Sequence, residues 1–202
     1  MISDSEPDIP PIFLNNPLTS SLLTTTPKYT LHTRTTPTST KIPNPFFNFT
    51  LNSNSHSTTS SSFPSAGAVY TTLFLSRPHP IPEGHLLLHI GPGITGQDGI
   101  AHGGFLATVM DEVCGNLIAA EGVDAGLGMF TARLDVRYLR PAFVREDLGT
   151  GEGNGVVIVA TARVERVEGR KVFVAGEIRD ALGEVCTSAE AVFVKKQPQA
   201  AL

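Results

Sequence analysis

The chain has 202 residues with 15 basic and 19 acidic side chains, a net charge of −4. That length suits one domain of ordinary size or a smaller one with a tail, and the lack of any basic run argues against a nucleic-acid partner. Cys114 and Cys186 are too few for a disulfide framework, no apolar run is long enough to cross a bilayer, and no secretory signal opens the chain.

Residues 1–64 read as a tail. They are rich in Ser, Thr, Pro and Asn, as in Thr35-Thr36-Pro37-Thr38-Ser39-Thr40, and their apolar residues show no helical or strand period. Such a segment is expected to stay largely disordered, because it cannot bury enough surface to offset the entropy of ordering it. Between Ile9 and Pro82 there is no acidic residue, while Lys28, Arg34, Lys41 and Arg77 are basic. That composition is partly that of an organelle transit peptide, but Asp4, Glu6 and Asp8 precede it and arginine is sparse. The expected compartment is the cytoplasm, with mitochondrial import as the alternative.

From residue 65 to 196 the texture is that of a folded domain, with 197–202 as a short tail. Ala68–Leu75 is rich in β-branched and aromatic residues and predicts a strand, and His85–Ile90 predicts a second. His79, His85 and His89 have no carboxylate or cysteine pattern around them and are read as packed or solvated, not as metal ligands. Gly91-Pro-Gly-Ile-Thr-Gly-Gln-Asp-Gly99 is a glycine-rich loop. It has neither the ending of a P-loop nor the glycine spacing of a dinucleotide site, so its expected role is a tight turn.

The loop leads into a helix with two unlike faces. At about 100° per residue, Phe105, Leu106, Val109, Met110, Val113 and Leu117 form an apolar stripe. The other side carries Gly104, Ala107, Thr108, Asp111 and Gly115. A surface helix would place long polar side chains there, so small residues around one carboxylate suggest that another chain or a ligand packs close. No Ser, Thr, Asp or Asn precedes the first turn, which predicts an uncapped start. Gly103 and Gly104 would let a bound group approach N–H groups able to hold a developing negative charge. A core helix with a structural aspartate is the plainer alternative. Cys114 reads as a small core residue, and Glu121-Gly122 as the stop.

Four strand-like runs follow: 129–139, 156–167, 171–180 and 184–194. Glu168-Gly169 and Ala181–Gly183 are short enough for hairpins. In the first run Leu134, Val136 and Tyr138 alternate with Arg133, Asp135 and Arg137. The pattern predicts an α+β fold in which an antiparallel meander is covered on its apolar face by the helix.

The helix and meander, with His102-Gly103-Gly104 nine residues ahead of Asp111 and a strand ending Tyr138-Leu-Arg-Pro141, resemble the hotdog-fold acyl-CoA thioesterases of the PaaI-like and THEM-type branch. The resemblance covers residues 66 to 196. It implies a five- or six-stranded antiparallel sheet wrapped around one long central helix. It also implies a homodimer or dimer of dimers with the active site at the subunit interface, acting on an acyl-CoA or acyl-carrier thioester without a cofactor, CoA entering only as part of the substrate. On this likeness Asp111 is the general base or nucleophile. Gly103 supplies the backbone N–H that polarises the carbonyl, with Gly104 supporting the turn. Thr131 is the hydroxyl that the partner subunit offers to the water, and His102 helps hold the loop. Gln97 lies nearest to the amide side chain that contacts the thioester in some members, one position off their spacing. Arg140, Arg145 and Lys171 are the candidates for the CoA phosphates. A non-catalytic acyl-CoA or acyl-carrier binding module is the alternative. A hotdog hydratase lacks its Asp-His pair here, and an interaction protein working through its tail is a further alternative.

Overall fold

The computed structural model describes residues 9–24, 29–32, 69–77, 81–144 and 155–197. Its centre is the helix α3 (Gly103–Ala120). All six residues of the apolar stripe are buried, together with Cys114 and Ile118 on its flank. They pack against Leu86, Leu88 and Ile90 of β3 (Glu83–Ile90), Ile158 and Ala160 of β7 (Val156–Glu168), Val172 and Val174 of β8 (Lys171–Arg179), and Ala191 and Phe193 of β9 (Val185–Lys195). Helix and sheet approach closely at Gly176, where an added Cβ would lie 2.5 Å from Met110 Cε and 3.0 Å from the Thr161 carbonyl oxygen. No helix among the described residues is long and apolar enough to cross a membrane.

Among the described residues, seven strands form one antiparallel sheet in the order β1-β2-β3-β7-β8-β9-β6, where β1 is Thr30–His32, β2 is Val69–Arg77 and β6 is Met129–Tyr138. Two expectations are corrected by that order. First, the four strands after the helix are not one meander. β7, β8 and β9 follow each other, but β6 lies at the sheet's edge beside β9, with Met129 opposite Lys195 and Tyr138 opposite Thr187. Tight turns tie β7 to β8 and β8 to β9, whereas residues 139–155 give the chain room to cross over before β7. Second, the sheet has seven strands, not five or six.

The added strand comes from the segment read as a disordered tail, and that reading is corrected for residues 9–24 and 29–32. Helices α1 (Pro11–Leu14) and α2 (Pro17–Thr24) lie on the outer face of the sheet, and β1 pairs with β2. Ile12, Phe13 and Leu23 are buried there against Leu73, Leu75, Leu87, Val157 and Val159. The physical reason is in the strands themselves. All eight residues of β3 and the first five of β7 are buried, so both faces of these segments are kept from water and need a cover on each side. The transit-like composition of residues 33–68, the first eight residues, His79, Arg145 and residues 198–202 lie outside the described residues.

One buried carboxylate ties the outer cover to the sheet. Glu83 is only 3% exposed. It accepts hydrogen bonds from the Tyr29 hydroxyl at 2.8 Å and Arg77 Nη2 at 3.0 Å, lies 3.2 Å from His85 Nε2, and is paired with Arg163 Nε. Burial by itself would raise its pKa. The hydrogen bonds from Arg163 and Tyr29 and the charges of His85 and Arg163 outweigh that and hold it down at about 2, from 4.5. His85 is thus occupied by Glu83 and, through Nδ1, by Thr161 Oγ1 at 3.0 Å.

Phe13 is completely buried, so Phe13→Ala should cost about 3 kcal/mol of unfolding free energy in a denaturant titration. Glu83 releases its proton more easily in the folded chain than in the unfolded one. Its contribution is therefore full above pH 4.5 and drains away as pH falls toward about 2. The stability gap between wild type and Glu83→Gln should be widest near neutrality and close through that acid window; a gap independent of pH would contradict the assignment.

Candidate active site

The glycine-rich loop becomes a short helical turn at Pro92–Ile94 and a small hairpin of β4 (Thr95–Gln97) and β5 (Ile100–Ala101). Gly99 takes a left-handed φ of 67° at its turn, which accounts for glycine there. The hairpin delivers His102, whose N–H donates to the Ile94 carbonyl at 2.9 Å. The expectation of an uncapped helix is wrong. His102 is the N-cap, its Nδ1 accepting the Gly104 N–H at 2.9 Å. Histidine does the work usually left to Ser, Thr, Asp or Asn, so the usual signal was missing from the sequence.

The imidazole also explains two glycines. An added Cβ at Gly96 would sit 2.7 Å from His102 Cδ2, and one at Gly104 would sit 3.0 Å from Nδ1. Gly103 has a different neighbour. The Tyr138 hydroxyl donates to the Gly103 carbonyl at 2.8 Å, and its ring carbon Cζ lies 3.2 Å from where a Cβ would project. The close approach expected of a bound group at Gly103 and Gly104 is therefore made in part by the chain's own rings. The His102 carbonyl accepts from the Leu106 N–H. That leaves the Gly103 N–H without a partner among the described residues.

Farther along α3 the face of small residues stays partly open. Ala107, Thr108, Asp111 and Gly115 are half-buried and Gly104 is exposed. β6 runs back along this face and brings Thr131 to Asp111, its hydroxyl donating to Oδ1 at 2.8 Å. Thr131 was expected to reach the site from a partner subunit; it meets Asp111 within one chain. Cys114, beneath them, is no nucleophile. Burial first, and then the Asp111 charge, push its thiol pKa up to about 12.

Two candidates stand apart. Gln97 is exposed on the hairpin and shares no hydrogen bond with Gly103, Asp111 or Thr131 among the described residues. Arg140 is engaged with Glu184 at 3.1 Å and lies 3.9 Å from the buried Asp180, so its charge is already answered. Tyr138 is the site residue that residue-by-residue reading left without a role. A shallow open groove of about 250 Å³ lined by Asp135, Arg137, Glu165, Ser188 and Glu190 contains none of these residues.

An antiparallel sheet wrapped around one long helix, with a capped glycine start and an aspartate on the open face, defines a hotdog fold. The model of the thioesterase superfamily matches residues 98–149, from the end of the glycine-rich loop through α3 and β6. The acyl-coenzyme A thioesterase THEM4 of Xenopus laevis is 34% identical over 113 residues, 55% of this chain and 45% of that protein. THEM4 of Mus musculus is 30% identical over 110 residues, covering 54% of this chain and 41% of its own. The chain thus spans about half the length or less of the curated relatives it matches. A crystallised thioesterase superfamily protein is 28% identical, with 61% of this chain and 53% of that one covered at a TM-score of 0.47. The family model and the two THEM4 relatives bear out the resemblance to the acyl-CoA thioesterases.

Removing the cap should have a small, specific cost. His102→Ala is expected to lose about 1 kcal/mol in equilibrium unfolding, and His102→Asn to recover most of it. Equal losses in both variants would show that the imidazole does not act as a cap.

Proposed function

We propose that the protein hydrolyses acyl-CoA thioesters, with Asp111 as the base that activates water, or as the attacking nucleophile, and the Gly103 N–H as the donor to the carbonyl oxygen. The observation that carries this reading is the Thr131–Asp111 hydrogen bond on the open face of α3. A thioester carbonyl is already electrophilic, so the site needs an oriented carboxylate and an oxyanion donor, and no metal. Thr131 restricts the carboxylate to one orientation while leaving the second oxygen for water. Relatives named as acyl-CoA thioesterases support the substrate class.

The two groups lie too far apart to act on one carbonyl from the same helix. Eight positions separate Gly103 from Asp111, a rise of about 12 Å. The reacting carbon must lie within roughly 3.5 Å of its nucleophile. Asp111 and Thr131 of one copy therefore work with Gly103 of a second, and the protein acts as a homodimer. The half-open face of small residues allows that approach. So does β6, an edge strand whose Phe130 and Tyr138, with Leu139 beyond it, are more than half exposed.

The test is release of free thiol from a panel of short, medium, long and aromatic acyl-CoA esters by the purified full chain. Asp111→Asn should lower kcat by about 10²-fold or more without changing the melting temperature. Near-normal turnover in that variant excludes Asp111 as the base. Binding of the esters without any turnover by the wild type would favour a non-catalytic acyl-CoA binding module.

A further inference from the structure

We infer that Tyr138 is a positioning residue for the oxyanion donor, acting through a clamp on the peptide unit between Gly103 and Gly104; this rests on the hydrolase reading above. That peptide unit is held at both ends. Its carbonyl accepts the Tyr138 hydroxyl at 2.8 Å, and its N–H donates to His102 Nδ1 at 2.9 Å. The preceding peptide unit, which carries the Gly103 N–H, has its own carbonyl engaged by the Leu106 N–H at 3.1 Å. Both carbonyls flanking the Gly103 N–H and the next N–H along the chain are thus occupied, while the Gly103 N–H itself has no partner among the described residues.

The clamp answers a problem that the glycine creates. Without a Cβ, residue 103 has access to far more backbone conformations than any other residue type. A larger residue would press on the Tyr138 ring, which stands 3.2 Å from the position its Cβ would take. Freedom at this residue would spread the direction of its N–H, and an oxyanion donor works only when it is oriented before the charge develops. Tyr138 lies at the end of β6 and reaches the residue that begins α3, so it ties the donor to the sheet as well as to the loop. The strand that presents Thr131 to Asp111 at one end therefore sets the Gly103 peptide at the other. In the proposed dimer each β6 thus orients the base of one site and the oxyanion donor of the other.

Tyr138→Phe removes the hydroxyl and keeps the ring. In the full-length protein it should lower kcat on the best ester of the panel by about tenfold, with KM within about twofold of wild type. Amide hydrogen exchange at Gly104 should quicken by a factor on the order of ten, as in His102→Ala, while the rest of α3 keeps its protection. The melting temperature should stay within a few degrees of wild type. A kcat within twofold of wild type overturns the positioning role and leaves the hydrolase reading standing. So does a kcat loss accompanied by faster exchange along the whole helix, which would mark a structural effect. A rise in KM at constant kcat would also overturn it, by showing that the hydroxyl touches substrate. Wild-type protein silent on every ester overturns the hydrolase reading and this role together, whatever the amide exchange shows.

Discussion

The roll of α3 against the sheet is the constraint on which the site depends. Six stripe residues are buried, and at about 1.5–3 kcal/mol for each large apolar side chain the stripe contributes on the order of 10 kcal/mol before entropy is counted. The His102 cap is worth about a tenth of that. Packing therefore decides which way the helix faces, and the cap decides only how its first peptide units point. Turning the helix by one residue would drive Asp111 into the apolar interior and lift Met110 out of the space that Gly176 leaves for it. The direction of Asp111 follows from side chains that have no part in the chemistry.

The edge position of β6 matters in the same way. Placed beside β7, as a simple meander would have it, the strand would cross the middle of the sheet under the helix, with both neighbours occupied. At the edge beside β9 it runs along the open face of α3. There Thr131 and Tyr138 reach the helix at two points, Asp111 and Gly103. The cost is a strand edge that no described strand pairs, with exposed aromatic side chains, a surface that natural proteins seldom leave uncovered. Under the proposed reading the second copy that completes the site also covers this edge.

What could be read from the residues in advance divides by range. The stripe of α3, its glycine stop, Asp111 on the opposite face and six strands within a few residues of their bounds are local periodic features, and they were legible. The order of the strands was not, because the chain between β6 and β7 is long enough to permit either placement. His102 as a cap and Tyr138 on Gly103 depend on single side chains meeting across a turn or across the fold, 2 and 35 positions apart in sequence, and periodicity carries no trace of them. The resemblance to hotdog thioesterases supplied Thr131 as a partner's contribution, and within one chain its hydroxyl already meets Asp111. The packing of residues 9–24 and 29–32 left a signal in a different place. Their own composition suggests disorder, yet Leu86-Leu87-Leu88 and Val156-Val157-Ile158-Val159 lack the alternation of a strand with one wet face. The cover was legible in what it covers.

On the proposed reading of a homodimer, that cover also limits how two copies can meet. The outer face over β2, β3 and β7 is taken by Ile12, Phe13 and Leu23. The Glu83 cluster pins the register of the covering strand, since Tyr29 stands one residue before β1 and reaches a carboxylate that also holds Arg77 of β2, His85 of β3 and Arg163 of β7. Breaking one partner of a buried charge costs far more than the pair gains over an apolar substitute, so the cluster resists displacement of the segment by a competing surface. A second copy is thereby directed away from this half of the sheet. It is left the side where no described strand pairs the outer edge of β6 and α3 shows its small residues, which is the side that carries Asp111, Thr131 and Gly103. On that reading an N-terminal segment with no residue in the candidate site helps decide where the site is assembled.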